Sequence, residues 1–249
     1  MRKIKENNLY LVITEEYCKG RSAAYVAREA IAGGVDIVQM REKNKPRGEL
    51  LSKGRELLSV CRASGIPLII NDDPELACDI GADGVHLGQE DLAKCPIEAV
   101  RDILGADKIV GVSTHSLDQF RQAHSMDVDY LAYGPIFPTR TKDYCIGTSG
   151  MNEAARSAKK PVFFIGGIDL SNVSAALASG AGRIALIRAI AASDDVRAAA
   201  ALFKEALSRP QMKGNTMTIR INGKTASPGA ASNIDELIRT RMLSPDKIV

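Results

Sequence analysis

The chain has 249 residues, of which 45% are hydrophobic and 25% charged, with 21 Gly and 10 Pro. This composition excludes collagen-like, low-complexity and wholly disordered chains, and the length allows one large domain or two small ones. The formal net charge of +3 is uneven: residues 209–249 hold seven Lys/Arg against three Asp/Glu, and the first 208 residues hold 26 against 27. The main body therefore lacks the basic field of a nucleic-acid binder.

Eight short apolar runs recur along the chain: 9–14, 36–41, 67–72, 84–88, 108–114, 130–137, 161–168 and 183–190. They are rich in β-branched residues or Leu, as expected of buried parallel strands. Amphipathic helical stretches lie between them, among them 47–64, 96–104 and 194–207. Gly33, Gly65, Gly81, Gly105 and Gly180 mark helix ends. Eight strand–helix units, about 25 residues apart, predict a (β/α)8 TIM barrel within residues 1–209. The competing fold is a doubly wound open sheet.

The apolar run at 9–13 is too short for a signal segment, and no run reaches the ~20 apolar residues of a membrane span. Cys18, Cys61, Cys78, Cys95 and Cys145 are scattered and odd in number, which fits reduced thiols in the cytoplasm.

In such a barrel, chemistry belongs at the C-terminal strand ends. The second run ends Gln39-Met40-Arg41-Glu42-Lys43, where alternation puts Gln39, Arg41 and Lys43 on one face. Two cations and an amide suit a multiply charged anion such as a diphosphate. The alternative is a solvated rim, with Arg41 paired to a nearby carboxylate. The third run ends Asn71-Asp72-Asp73-Pro74, in which Asp73 reads as a helix N-cap. Asp72 and Asp91 bring carboxylates to the same rim and suit Mg²⁺ bridging to phosphates, unless Asp91 is itself a helix cap. Ser113 could reach a phosphate, and Thr114 or Ser116 could cap the next helix. His86 is either a satisfied core histidine or a ligand contact. Thr139, Arg140, Thr141 and Lys142 open a long loop that reads as a lid with phosphate ligands. Gly166 and Gly167 allow close backbone approach, and Arg188 after the eighth run is either a phosphate cation or a surface ion pair. No Cys–His or Ser–His–Asp nucleophile set is visible, which favours departure of a diphosphate leaving group.

Together QMREK (39–43), NDDPELA (71–77), GADGVHLGQEDL (81–92), VGVSTHS (110–116), GPIFPTRTK (134–142) and IGGI (165–168) closely resemble the thiamine-phosphate synthase family over about residues 8–208. The resemblance implies a barrel enzyme that joins 4-amino-5-hydroxymethyl-2-methylpyrimidine diphosphate to thiazole phosphate. The products are thiamine phosphate and pyrophosphate, the cofactor is Mg²⁺, and a pyrimidine carbocation is attacked by the thiazole nitrogen. It assigns Gln39, Arg41, Lys43, Asn71, Ser113 and Lys142 to the pyrimidine diphosphate, with His86 near the pyrimidine. Of these, Arg41, Ser113 and Lys142 are the catalytic candidates. It assigns Asp72 and Asp91 to the metal, and Thr139, Thr141, Gly167 and the backbone near Ile187 to thiazole phosphate. Arg188 departs from the Ser that many relatives carry. A thiazole tautomerase on the same barrel would not need the diphosphate and metal set. A catalytically silent phosphate-binding barrel is the third reading. The implied partners are phosphorylated small molecules, with no nucleic acid and no membrane, and homo-oligomerisation is left open.

Residues 210–216 read as a polar linker. From Met217, TIRING and the helix start at Asn233 weakly resemble the N-terminal part of the thiamine-biosynthesis sulfur-carrier protein, a ubiquitin-like fold. A terminal Gly-Gly is absent, so the appendage at 217–249 reads as a partial or disordered fragment. It would be the point of contact with thiazole-pathway proteins, if any.

Overall fold

The computed structural model describes residue 4 and residues 6–139, 143–208, 219–221 and 224–226, the last two segments as backbone only. Eight parallel strands pair in chain order: β1 (Leu9–Ile13), β2 (Ile37–Met40), β3 (Leu68–Asn71), β4 (Gly84–Leu87), β5 (Ile109–Thr114), β6 (Tyr130–Tyr133), β7 (Val162–Ile165) and β8 (Ile184–Leu186). β1 also pairs with β8, Tyr10 opposite Ala185, so the sheet closes into a barrel and the open-sheet alternative is excluded. The intervening helices are α1 (Ala23–Ala32), α2 (Arg47–Ala63), α3 (Pro74–Ile80), α4 (Gln89–Lys94), α5 (Ile97–Leu104), α6 (Leu117–Ala123), α7 (Met151–Ser157), α8 (Val173–Ala178), α9 (Arg188–Ala191) and α10 (Val196–Ser208).

Strand alternation sorts the apolar residues into two layers. Leu9, Leu11 and Ile13 of β1 join the large core between barrel and helices. Tyr10 and Val12, on the other face, join Ile37, Ile69, Ile109, Tyr130, Phe163 and Ala185 inside the barrel. Both faces are covered, which is why the strands read as unbroken apolar runs in sequence. Full burial of a large side chain such as Phe203 on α10 contributes roughly 1.5–3 kcal/mol.

The N-terminal face of the barrel is closed by a repeated acidic device. Asp36 Oδ2, just before β2, accepts from the amides of Asn8 and Leu9 (2.9 and 3.0 Å) and from Lys204 Nζ (2.7 Å). Asp83, just before β4, accepts from Leu68 N (2.9 Å). Asp129, just before β6, accepts from Val110 N (2.8 Å) and Arg101 Nη2 (2.9 Å). Each carboxylate satisfies the first free N–H of the preceding strand, so these three acids serve the scaffold.

The structure departs from the sequence reading at several ends. The sixth strand stops at Tyr133, because Pro135 lacks an N–H for the ladder. The eighth stops at Leu186, and the rest of that run turns into α9. Gly81 and Gly105 are C-caps with positive φ, and Gly33 is a C-cap in the right-handed region. Gly65 and Gly180 fall one residue past the caps Ser64 and Ser179. Asp73 is the N-cap of α3, accepting from Leu76 N at 2.7 Å. Ser116 caps α6, and Thr114 is buried, donating to Ala132 O at 2.9 Å. Asp91 is not a cap: it lies inside α4, whose N-cap is Gly88.

The chain divides into two compact units, Met1–Arg209 and Pro210–Val249. In the second, β9 (Ile219–Ile221) and β10 (Lys224–Ala226) pair antiparallel. The helix start expected at Asn233 and the linker at 210–216 lie outside the described residues.

Candidate active site

β2, β3, β4 and β5 each place polar side chains on the interior face at their C-terminal ends. The register sets Val12 beside Gln39, Asn71 beside His86 and Ser113 beside Ala132. A cavity of about 910 Å³ opens there. Gln39, Arg41, Lys43, Asn71, Asp72, His86, Asp91, Ser113, Thr139, Gly167, Ile187 and Arg188 all line it. Thr141 and Lys142 lie outside the described residues.

On one side sit the cations and carboxylates. Among the described residues neither Arg41 nor Lys43 forms a side-chain ion pair, so both positive charges are available to a ligand. Glu42, the carboxylate next in sequence to Arg41, instead accepts from Glu15 N at 2.7 Å. Asp72 N donates to His86 O at 2.8 Å, and the chain then turns through a positive φ of 64° at Asp72. That left-handed conformation is sparsely populated by non-glycine residues and aims the carboxylate at the rim. Asn71 Nδ2 donates to it. Gly88 leaves room for both acids, since a Cβ there would lie 2.9 Å from Asp91 Oδ2 and 4.0 Å from Asp72 Oδ1. Burial first, and then the neighbouring Asp91 carboxylate, push the Asp72 carboxyl up to about 6, while Lys43 and Arg41 pull the other way. No group of three or more His, Cys, Asp or Glu is placed to hold a metal among the described residues. A cation here would depend on two carboxylates plus oxygens of a ligand.

At the centre, His86 is buried with both ring nitrogens engaged: Nδ1 with Tyr130 Oη (2.9 Å) and Nε2 with Ser113 Oγ (2.8 Å). It is thus both a satisfied interior histidine and a wall of the cavity. Burial, then the charges of His115 and Arg41, hold its pKa down to about 4, so it is neutral near pH 7. Tyr130 Oη also meets Tyr10 Oη (2.9 Å), and Gln39 Nε2 donates to Tyr10 Oη (2.7 Å). Gln89 Nε2 donates to Ser113 O at 2.5 Å and fixes the end of β5. Gly111 makes this packing possible, because a Cβ there would fall 2.0 Å from Tyr130 Cζ.

The opposite side is built by β6, β7 and β8. Gly167 has φ 65°, and a Cβ would lie 2.4 Å from Pro138 O, so only glycine fits this turn. Asn172 Nδ2 donates to Gly167 O (2.8 Å) and holds the turn in place. Arg188 lines the cavity as the first residue of α9, with its guanidinium 5.6 Å from the Tyr17 ring centroid. It stacks on an aromatic face, and no ion pair to it is seen among the described residues. His115 Nδ1 donates to Gly134 O (2.6 Å), and the ring meets the Tyr144 ring edge-on at 6.0 Å, on the loop side of the same cavity.

Residues that the sequence reading passed over are Tyr10, Tyr130, Phe163, Gln89 and Tyr144. Tyr10 carried a usable signal: period-two alternation in LYLVI sets it on the face opposite Leu9, Leu11 and Ile13. Gln89 carried none, since its contact joins the start of α4 to the end of β5, 24 residues on.

A family model described as Thiamine monophosphate synthase matches residues 9–190. The thiamine-phosphate synthase of Halalkalibacterium halodurans is 39% identical over 209 residues, spanning 83% of this chain and 98% of that protein. That of Shouchella clausii is 41% identical over 199 residues, spanning 79% and 94%. Among solved structures, the thiamine phosphate pyrophosphorylase from Pyrococcus furiosus matches with a TM-score of 0.73 at 33% identity, covering 80% of this chain and 95% of that one.

Proposed function

Because the chain belongs to the thiamine monophosphate synthase family, we propose that its cavity joins a hydroxymethylpyrimidine diphosphate to a thiazole phosphate, releasing pyrophosphate. The observation that carries this reading is the division of one cavity. Two cations without an ion pair among the described residues, together with two carboxylates, face a glycine turn across about 910 Å³, room for two phosphorylated substrates side by side.

Arg41 and Lys43 neutralise the diphosphate and hold it against the rim, with Lys142 assigned the same duty from sequence. Asp72 and Asp91 fit Mg²⁺: burial first, and the neighbouring Asp91 carboxylate second, raise the Asp72 pKa, and a divalent cation would favour the ionised pair against both. Bound there, Mg²⁺ would supply positive charge for the phosphate oxygens. The bond between the pyrimidine methylene and the diphosphate oxygen breaks, and its electron pair leaves with pyrophosphate. The lone pair of the thiazole nitrogen then forms the new carbon–nitrogen bond. His86, held neutral, puts no positive charge beside the developing carbocation. Thr139, Gly167, the backbone at Ile187 and Arg188 hold the thiazole phosphate, with Thr141 assigned there from sequence. The five cysteines are free, which supports a cytoplasmic setting, and no described helix is long and apolar enough to cross a membrane. Any link of the 217–249 appendage to thiazole-pathway proteins rests on its sequence alone.

The test is pyrophosphate release by the purified chain. Release that needs both substrates and Mg²⁺ is expected. Turnover of thiazole phosphate alone to an isomer, without pyrophosphate, would replace this reading with the tautomerase.

A further inference from the structure

The polar side chains of the barrel interior form an unbroken line: Gln39, Tyr10, Tyr130, His86 and Ser113, joined by contacts of 2.7, 2.9, 2.9 and 2.8 Å. Gln39 and Ser113, at the ends, line the cavity, and Tyr130 in the middle does not. A line of this kind has a direction, because each hydroxyl owns one proton. Gln39 Nε2 can only donate, so Tyr10 Oη accepts there, and the one other side-chain partner for its own proton among the described residues is Tyr130 Oη. Tyr130 Oη, having accepted, donates to His86 Nδ1. His86 then carries its proton on Nε2 and donates it to Ser113 Oγ. The Ser113 proton is left to point into the cavity.

We propose that Tyr10 and Tyr130 are positioning residues that transmit the amide orientation of Gln39 to Ser113, fixing His86 as the Nε2–H tautomer and Ser113 as a hydrogen-bond donor to the substrate. The part concerning substrate rests on the function proposed above; the tautomer does not. Gly111 belongs to the device, since a side chain there would occupy the space of the Tyr130 ring. The device gives the cavity fixed polarity at two points, the Ser113 donor and the Gln39 oxygen, which has no partner among the described residues. A ligand thus meets groups that need no reorientation, and polar networks of this kind strengthen one another where water is excluded.

The experiment is ¹⁵N NMR of the full chain with labelled histidine, His86 being assigned by loss of its signals in His86→Gln. The wild-type protein should show a pyridine-type shift at Nδ1 and a pyrrole-type shift at Nε2. The reverse pattern would overturn the proposal. Tyr10→Phe does not touch His86, yet it removes the donor that commits the Tyr130 proton, so a mixture of tautomers should appear. A His86 that keeps the single Nε2–H tautomer in Tyr10→Phe would refute transmission. Should that variant fail to fold, the wild-type pattern and Tyr130→Phe, which removes the donor to Nδ1 itself, decide in its place. In the same variants kcat/KM for the pyrimidine diphosphate should fall by about three- to tenfold, with KM for thiazole phosphate unchanged. The predicted tautomers in a protein that releases no pyrophosphate would uphold the relay and overturn the substrate assignment instead.

Discussion

Replacing Arg41 by Ala tests the division of the cavity most directly. Arg41 lines the cavity and has no side-chain ion pair among the described residues, so its removal strands no buried partner. The fold should therefore lose little, and thermal midpoint should stay within a few degrees. The effect should fall on ligand binding. A hydrogen bond to a charged group contributes about 1.5–3 kcal/mol, which converts to a loss of about 10- to 150-fold in kcat/KM for the pyrimidine diphosphate. Thiazole phosphate, which the proposed function assigns to the far side at the Gly167 turn, should change in KM by less than about threefold. Steady-state pyrophosphate release, varying each substrate at saturation of the other, measures both numbers. Equal losses for the two substrates would refute the two-sided cavity. Unchanged kinetics would refute the role of Arg41.

Asp91→Ala should lower turnover and raise the Mg²⁺ concentration needed for half-maximal rate, with Asp72→Ala acting in the same direction; wild-type rates at limiting Mg²⁺ would end the metal assignment. Removing residues 211–249 should leave kcat/KM for both substrates within about twofold, as measured by the same assay on the shortened chain. The buried Cys18 and Cys61 should resist an aqueous thiol reagent while the exposed Cys78 and Cys145 react at once. Burial pushes the Cys61 thiol up to about 12, above its unfolded value, so its contribution to stability is intact below about pH 9 and lost as pH rises towards 12. At pH 10 this is worth about 1.4 kcal/mol, and Cys61→Ala should show less alkaline destabilisation than wild type in denaturant titrations at pH 8 and 10.

Period and spacing carried the architecture. Eight apolar runs recurring about every 25 residues on average, with amphipathic stretches between them, were enough for the barrel, because buried parallel strands and one-faced helices each leave a pattern in the linear chain. The polar residues at the ends of β2 to β5 were legible for the same reason: alternation puts Gln39, Arg41 and Lys43 on one face, and the fold says which end matters. Strand ends were less legible, since Pro135 and the start of α9 cut two runs short for backbone reasons that hydropathy does not register.

Three things belonged to the tertiary structure alone. One is what the scaffold acids do: sequence sets Asp36, Asp83 and Asp129 ahead of their strands and Asp72 and Asp91 after theirs, but only the structure shows the first three accepting from amides of the neighbouring strand. Another is the closeness of Asp72 and Asp91, which arises because the loops after β3 and β4 meet over a glycine at 88. The last is the line from Gln39 to Ser113, whose members come from five different strands. Local patterns record how a segment meets its own neighbours. Hydrogen bonds between residues 29, 44 and 120 positions apart exist only once the sheet has closed, and no local pattern records them.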